Sequence, residues 1–376
     1  MSLPSLLWFL LATLVPSFIV SLISVAVVRR AAERLGLLDR PGARKVHTVP
    51  IPLGGGLGIW AGVVVTFALG TVAVWLLSQA PTSSTGLPDE LTQHVDGLMA
   101  RAKGMWVIIA GGTALMLLGL ADDRRGLPWQ VRIAVEVLVA AFCVYFQNMQ
   151  FTAFIDLPWL TGTLSVLWIV ALINSFNMLD NMDGLSGGVA AIAASILAIM
   201  LLTNTGAASQ GPQLFVAAML LVLVGALLGF LKYNWPPAQI FMGDAGSYFV
   251  GYWIAIASLL ATYAGVQGAQ PHAVLAPLCV LAIPLYDMVS VIWIRLREGR
   301  SPFEGDKRHF SHRLVDLGMT KKQAVLTIYL ATTTCGLGAL LLPRIDLAGA
   351  IIVIISTLCM VTLVGVLESA GRARET

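Results

Sequence analysis

Eleven stretches of this chain are apolar enough to lie in a lipid bilayer, and that leaves few folds open. They fall near residues 6–28, 53–78, 104–121, 128–146, 163–177, 185–203, 213–232, 246–264, 273–295, 323–342 and 346–367, the fifth being shorter than the rest. A spanning helix needs about 20 residues, and backbone inside hydrocarbon must satisfy its own hydrogen bonds, which an α-helix does. With 57% hydrophobic residues against 11% charged, the composition excludes an ordinary soluble surface. The expected fold is all-α and polytopic, with about eleven transmembrane helices in one integral-membrane domain spanning residues 1–376.

Charge sets the expected orientation. The first run is too long for a signal-peptide core, and Arg29 and Arg30 follow it rather than precede it. It should remain as a helix with the N-terminus outside. The inside segments are then about 29–52, 122–127, 178–184, 233–245, 296–322 and the C-terminal tail. Counted with Lys232 and Arg295 at helix ends, they carry 19 of the 23 Lys and Arg residues. Such a bias fits the positive-inside rule. A net charge of +3, with basic residues in short blocks, gives no footprint for nucleic acid. Cys143, Cys279, Cys335 and Cys359 are scattered through apolar runs without CxxC spacing, as core or lipid-facing residues would be.

Against this apolar background five carboxylates stand out: Asp122, Asp123, Asp180, Asp183 and Asp244, each at the end of a long apolar run. An Asp at the bilayer centre costs roughly 2.5 to 3.5 kcal/mol, so ionisable groups beside membrane helices default to function. The expected topology puts all five on the cytoplasmic side, where they can share one site.

The Asp122–Asp123 pair ends the third run and is followed by Arg124, Arg125 and Gly126, with Pro128 opening the next helix. Adjacent carboxylates repel and want a cation or a proton between them; the bland alternative is a solvated turn with local Asp–Arg pairing. Asn174, Asn177 and Asp180 recur every third residue, which stacks three oxygen-bearing side chains on one helix face ahead of Asp183 and Gly184. Hard oxygen donors suit Mg²⁺, which takes one or two protein ligands and completes its shell with water and phosphate. Asn234, Phe241, Gly243, Asp244 and Gly246 open the eighth run. Free amides at a helix N-terminus favour phosphate, Phe241 could stack on a base and Asn234 could read its edge. A simple helix cap by Asp244 or Ser247 would use the same residues.

Two basic loops complete the set. Lys307, Arg308, His309, His312 and Arg313 sit together in 296–322, a grouping suited to a diphosphate. A zinc site is disfavoured, because no Cys or further His accompanies the two histidines. Loop 39–56 offers Arg44, Lys45 and His47 among prolines and glycines. Arg132 and Glu136, one turn apart, are expected to pair within the fourth run, and Asp287, near Pro284, is a further candidate.

Taken in order, these segments from about Asp39 to Leu314 resemble the polyprenyl-phosphate N-acetylhexosamine-1-phosphate transferases, which belong to the glycosyltransferase family 4 type. The Arg44-Lys45-x-His47 loop, the prolines and glycines after it, and Ser301-Pro302-Phe303 look like the branch that handles GlcNAc-1-phosphate; Ser311 departs from the family, where a further His is common. The resemblance implies a multi-pass protein of the bacterial cytoplasmic membrane that gives a sugar-1-phosphate from a UDP-N-acetylhexosamine to undecaprenyl phosphate. UMP is released, and the lipid-linked sugar starts a surface polysaccharide such as O-antigen or teichoic acid. It also implies Mg²⁺, with Mn²⁺ as a substitute, on Asn177 and Asp244, and a homodimer. Asp122 and Asp123 would act near the lipid phosphate, and Asp180 and Asp183 would position nucleotide and diphosphate. Asn234 and Phe241 would hold uracil, Asn174 would line the donor site, and Lys45, His47, His309, His312, Arg308 and Arg313 would meet phosphate charge. One-step attack on the β-phosphorus is expected, with a covalent aspartyl-phosphate as the alternative. The rival class is a cation transporter using the same acids; that reading predicts acids near mid-membrane and paired broken helices.

Overall fold

A computed structural model describes residues 2–39, 49–79, 95–147, 149, 157–203, 213–261, 270–303 and 308–372. Its helices follow the apolar runs: α1 (Leu3–Ala31), α2 (Gly55–Gln79), α3 (Val95–Arg125), α4 (Trp129–Ala141, continued by a π-turn to Phe146), α5 (Pro158–Leu179), α6 (Leu185–Thr203), α7 (Leu214–Asn234), α8 (Gly243–Leu260), the short α9 (Ala276–Val280), α10 (Ala282–Arg297), α11 (Phe310–Asp316), α12 (Lys321–Ala339) and α13 (Leu347–Arg372). The chain is a multi-pass membrane protein.

Among the described residues nine helices are long and apolar enough to cross a bilayer, and α9 with its preceding turn forms a bent pair with α10, angled by 64°, that makes a tenth. The remaining run, 246–264, folds as α8 but is a different kind of helix. From Ala245 to Ser258 every residue is buried, and α2, α3, α5, α6 and α7 all pack against it. Gly, Ser and Tyr in its sequence lower its apolarity, which a helix enclosed by protein rather than lipid tolerates. With α6 and α7 it forms the interior. By contrast α1, α4 and α13 turn most of their surface outward, as Leu11, Ile23, Leu138, Ile352 and Leu358 show.

One small element departs from the all-α expectation. Leu38–Asp39 and Ile51–Pro52 pair antiparallel, Leu38 opposite Pro52 and Asp39 opposite Ile51. The ribbon continues into the segment before α8: the Phe241 amide donates to the Pro52 carbonyl at 2.9 Å, and the Gly55 and Gly56 amides donate to the carbonyls of Phe241 and Met242 at 2.9 and 3.0 Å. The basic loop's return strand is thereby tied to the start of the central helix.

Helix contact on α8 is unusually close at Gly119 of α3. A Cβ there would lie 2.3 Å from the Asp244 carbonyl carbon and 2.4 Å from the Ala245 amide nitrogen, so the backbones touch one turn before Asp122 and Asp123. That contact brings the C-terminal end of α3 against the N-terminal end of α8.

Candidate active site

The C-terminal ends of α3 and α5 and the N-terminal end of α8 meet at one end of the bundle, each delivering acids that sequence spacing singled out. Asp122 and Asp123, adjacent in the chain, are held in different ways. Asp122 is buried. Its Oδ1 accepts the Leu127 amide at 2.6 Å, and its Oδ2 accepts Arg132 Nη1 and the Tyr248 hydroxyl, both at 2.9 Å. Asp123 instead caps α8, taking the Asp244 amide on Oδ1 at 2.9 Å and the Ala245 amide on Oδ2 at 3.2 Å. A carboxylate there meets both the free amides and the positive end of the helix. Gly243, at φ +71°, is required beside it, since a Cβ would sit 2.6 Å from Asp123 Oδ2.

Asp244 thus stands on an amide that Asp123 holds. Its Oδ1 accepts Asn177 Nδ2 at 2.6 Å, and the same nitrogen reaches Ser247 Oγ at 3.1 Å. The carboxyls of Asp244 and Asp122 lie within hydrogen-bonding reach of one another. Asp180, the residue that ends α5, completes the group beside the Gly243 amide and the Asp123 charge. Burial first, and then the charges of Asp123 and Asp183, push the Asp180 carboxyl up to about 7, against the lowering pull of that amide. So many carboxylates in a poorly solvated space demand a compensating positive charge.

Asp183 lies one turn beyond and has a visible local job: its Oδ2 accepts the Ala238 amide at 2.9 Å, shaping the loop between α7 and α8. Asn174, one turn deeper than Asn177, donates to Glu136 at 2.5 Å and to the Val170 carbonyl at 2.9 Å. The Arg132–Glu136 pairing expected from their spacing is corrected by these contacts: Arg132 turns instead to Asp122 and to the Tyr248 hydroxyl at 3.3 Å, leaving Glu136 to Asn174. Asn234 is buried. Its Oδ1 accepts the Gly184 amide and its Nδ2 donates to the Ile240 carbonyl, both at 2.8 Å. With each end of the amide bonded to backbone, it holds the two acidic loops together. Phe241 is half-buried above the ribbon its backbone extends.

The histidine segment docks beside this group. Ser311, where the family pattern favours a His, donates a hydrogen bond to Asn181 in the turn that carries Asp180 and Asp183. His309 and His312 face each other with ring centroids 6.4 Å apart. Arg308 pairs with Glu298, while the buried Arg313 donates to Ser290 Oγ at 2.7 Å. Lys45 and His47 lie outside the described residues. Sequence reasoning missed Tyr248 and took Ser247 only as a possible cap. Both follow Asp244 at helical spacing, so extending the periodic reading by one turn would have exposed them.

Among the described residues no three His, Cys, Asp or Glu side chains form a metal-holding group. The arrangement offers one carboxylate and one amide instead, the sparse donor set that suits a hydrated Mg²⁺ carrying phosphate ligands.

Fold and site define a multi-pass helical membrane protein with an acidic centre at one end of its bundle. The chain belongs to glycosyl transferase family 4, whose sequence model matches residues 105–262. It is 32% identical over 340 residues to the "Probable undecaprenyl-phosphate N-acetylglucosaminyl 1-phosphate transferase" of Bacillus subtilis, covering 88% of this chain and 85% of that protein. It is also 32% identical to the "Decaprenyl-phosphate N-acetylglucosaminephosphotransferase" of Mycobacterium tuberculosis H37Rv, covering 85% of this chain and 79% of that one. With the "Undecaprenyl-phosphate alpha-N-acetylglucosaminyl 1-phosphate transferase" of Escherichia coli O157:H7 the identity is 31%, with 85% and 80% covered. The family and these relatives are transferases by name, and the cation-transporter alternative finds no support.

Proposed function

We propose that the chain transfers N-acetylglucosamine-1-phosphate from UDP-N-acetylglucosamine to undecaprenyl phosphate at the cytoplasmic face of a bacterial inner membrane, releasing UMP. The observation that carries this reading is the meeting of Asp122, Asp123, Asp180, Asp244 and Asn177 at one end of the bundle, next to a segment bearing two His and two Arg residues. Phosphoryl transfer asks for positioning and charge neutralisation more than for covalent chemistry. The names of the three relatives give phospho-N-acetylglucosamine transfer to a polyprenyl phosphate, undecaprenyl in two and decaprenyl in one.

In the reaction an oxygen of the lipid phosphate attacks the β-phosphorus. A P–O bond forms there as the bond to the bridging oxygen breaks, and that oxygen leaves with UMP. Mg²⁺, with Mn²⁺ as a substitute, would be held by Asp244 and by Asn177 once its amide turns oxygen-first, and would neutralise the diphosphate. The protein's own residues do the rest. Asp123 fixes the α8 terminus on which Asp244 stands, while Leu127, Arg132 and Tyr248 fix Asp122. Both oxygens of Asp122 and of Asp123 already accept hydrogen bonds. That supports direct attack over an aspartyl-phosphate, because a carboxylate so engaged is a poor nucleophile. His309, His312 and Arg308 supply donors for the phosphates.

The test is UMP release from purified protein given Mg²⁺, undecaprenyl phosphate and a panel of UDP-sugars. UDP-N-acetylglucosamine should turn over, and Asp244→Ala should abolish turnover while leaving folded protein. No release with any UDP-sugar would end the transferase reading. The membrane orientation is tested by a reporter after Thr376, expected inside, and one inserted within residues 79–103, expected outside.

A further inference from the structure

Asp287 lies in α10, wholly buried, and is used by nothing in the reaction just described. A carboxylate in such a place is costly unless it is hydrogen-bonded. Both its oxygens are engaged, and both bonds go to the histidine segment: Oδ2 to His309 Nδ1 at 2.9 Å and Oδ1 to the Phe310 amide at 2.6 Å. One turn along the same face of α10, Ser290 Oγ accepts from Arg313 at 2.7 Å. The helix therefore grips α11 at its N-cap, His309, and again one turn later. Further along α10, Arg295 Nη1 donates to the Pro302 carbonyl at 2.6 Å and draws the returning loop onto the same helix.

We propose that Asp287 is the positioning residue for His309, holding its ring through Nδ1–H so that Nε2 is the edge turned to the phosphates, to which it donates when it too carries a proton. A carboxylate has no hydrogen to offer, so the Nδ1···Oδ2 contact requires Nδ1 to be the donor. A simple cap of α11 would need only the Phe310 amide. The second bond, to the ring, is what a positioning role adds, as carboxylates do when they fix the tautomer of a functional histidine. The inference rests on the transferase reading for its purpose and on the two hydrogen bonds for its content.

Asp287→Asn separates these roles. The amide keeps an acceptor for Phe310 but turns a donor toward Nδ1, which requires Nδ1 to give up its proton and leaves the ring uncharged, with its one proton on Nε2. UMP release is measured in wild type, Asp287→Asn, His309→Gln and the double variant. Asp287→Asn should lower kcat/KM roughly tenfold to hundredfold, yet change the His309→Gln protein by less than about threefold, because its effect passes through the ring. In full-length protein labelled with ¹⁵N-histidine, the signal missing from His309→Gln should report a protonated Nδ1, which in Asp287→Asn gives up its proton and leaves the one on Nε2. Equal losses in both backgrounds, wild-type turnover in Asp287→Asn, or an unchanged tautomer would each overturn the proposal. So would failure of Asp287→Asn to yield folded protein, which would make the residue a structural cap. If wild type releases no UMP the transferase reading fails on its own, and the tautomer spectrum still decides the positioning.

Discussion

Gly119→Ala should disable the enzyme without touching an acidic, basic or metal-binding group. The new Cβ would stand 2.3 to 2.4 Å from backbone atoms of Asp244 and Ala245, where ordinary contact begins at 3.4 Å. The α3 and α8 backbones must therefore separate by about 1 Å, since no flexible side chain is available to yield. That gap opens between Asp123 and the Asp244 and Ala245 amides it caps, at 2.9 and 3.2 Å, and stretches those bonds beyond useful length. Overpacking of this kind costs about 1–3 kcal/mol, a moderate fall in thermal stability for a bundle this size. Misplacing reacting groups by about 1 Å costs on the order of hundredfold in rate. Activity should therefore fall far more than stability: kcat for UMP release drops about hundredfold while detergent-solubilised protein still unfolds cooperatively. Turnover within about threefold of wild type, with the protein folded, would refute the claim that this contact sets the acidic geometry.

Three further expectations follow from the same contacts. Asn234→Ala strips partners from the buried Gly184 amide and Ile240 carbonyl, each worth about 1–3 kcal/mol when orphaned, so the melting temperature should fall clearly; an unchanged melting temperature with a raised KM for the UDP-sugar would favour a base-reading role over a structural one. Mg²⁺ should raise the melting temperature of wild type over that in EDTA and do so much less for Asp244→Ala, and equal shifts would remove Asp244 from the metal. A carboxyl whose folded-state value is raised favours folding at low pH and loses that contribution as pH climbs through about 7. In EDTA the melting temperature should accordingly rise as pH is lowered from about 8 to about 5, and a slope unaltered in Asp180→Asn would show that Asp180 is not its source.

Helices and the gathering of the acids were legible in the chain because both depend on local patterns. Apolar runs must become helices in lipid, and alternating crossings return every second helix end to one face, so Asp122, Asp123, Asp180 and Asp244 could be brought together by counting. What the count could not reveal is which groups each acid faces. Asp122 and Asp123 are neighbours in sequence, yet consecutive side chains on a helix diverge by about 100°, and here that turn sends one toward Arg132 and Tyr248 and the other onto the α8 terminus. Arg132 and Glu136 look paired because the spacing allows it, but Asp122 and Asn174 reach them from either side and win. Asn234 reads from sequence as a base contact; that it is buried and bonded to the backbone of Gly184 and Ile240 is a product of distant segments meeting, which no local pattern announces. The same holds for α8. Its run of 246–264 reads like any other, while its place at the centre of the bundle depends on small residues of its neighbours, Gly56 and Gly119 among them. Local periodicity thus predicts which residues reach the site, and long-range packing decides which of them hold the protein together and which remain for the substrate.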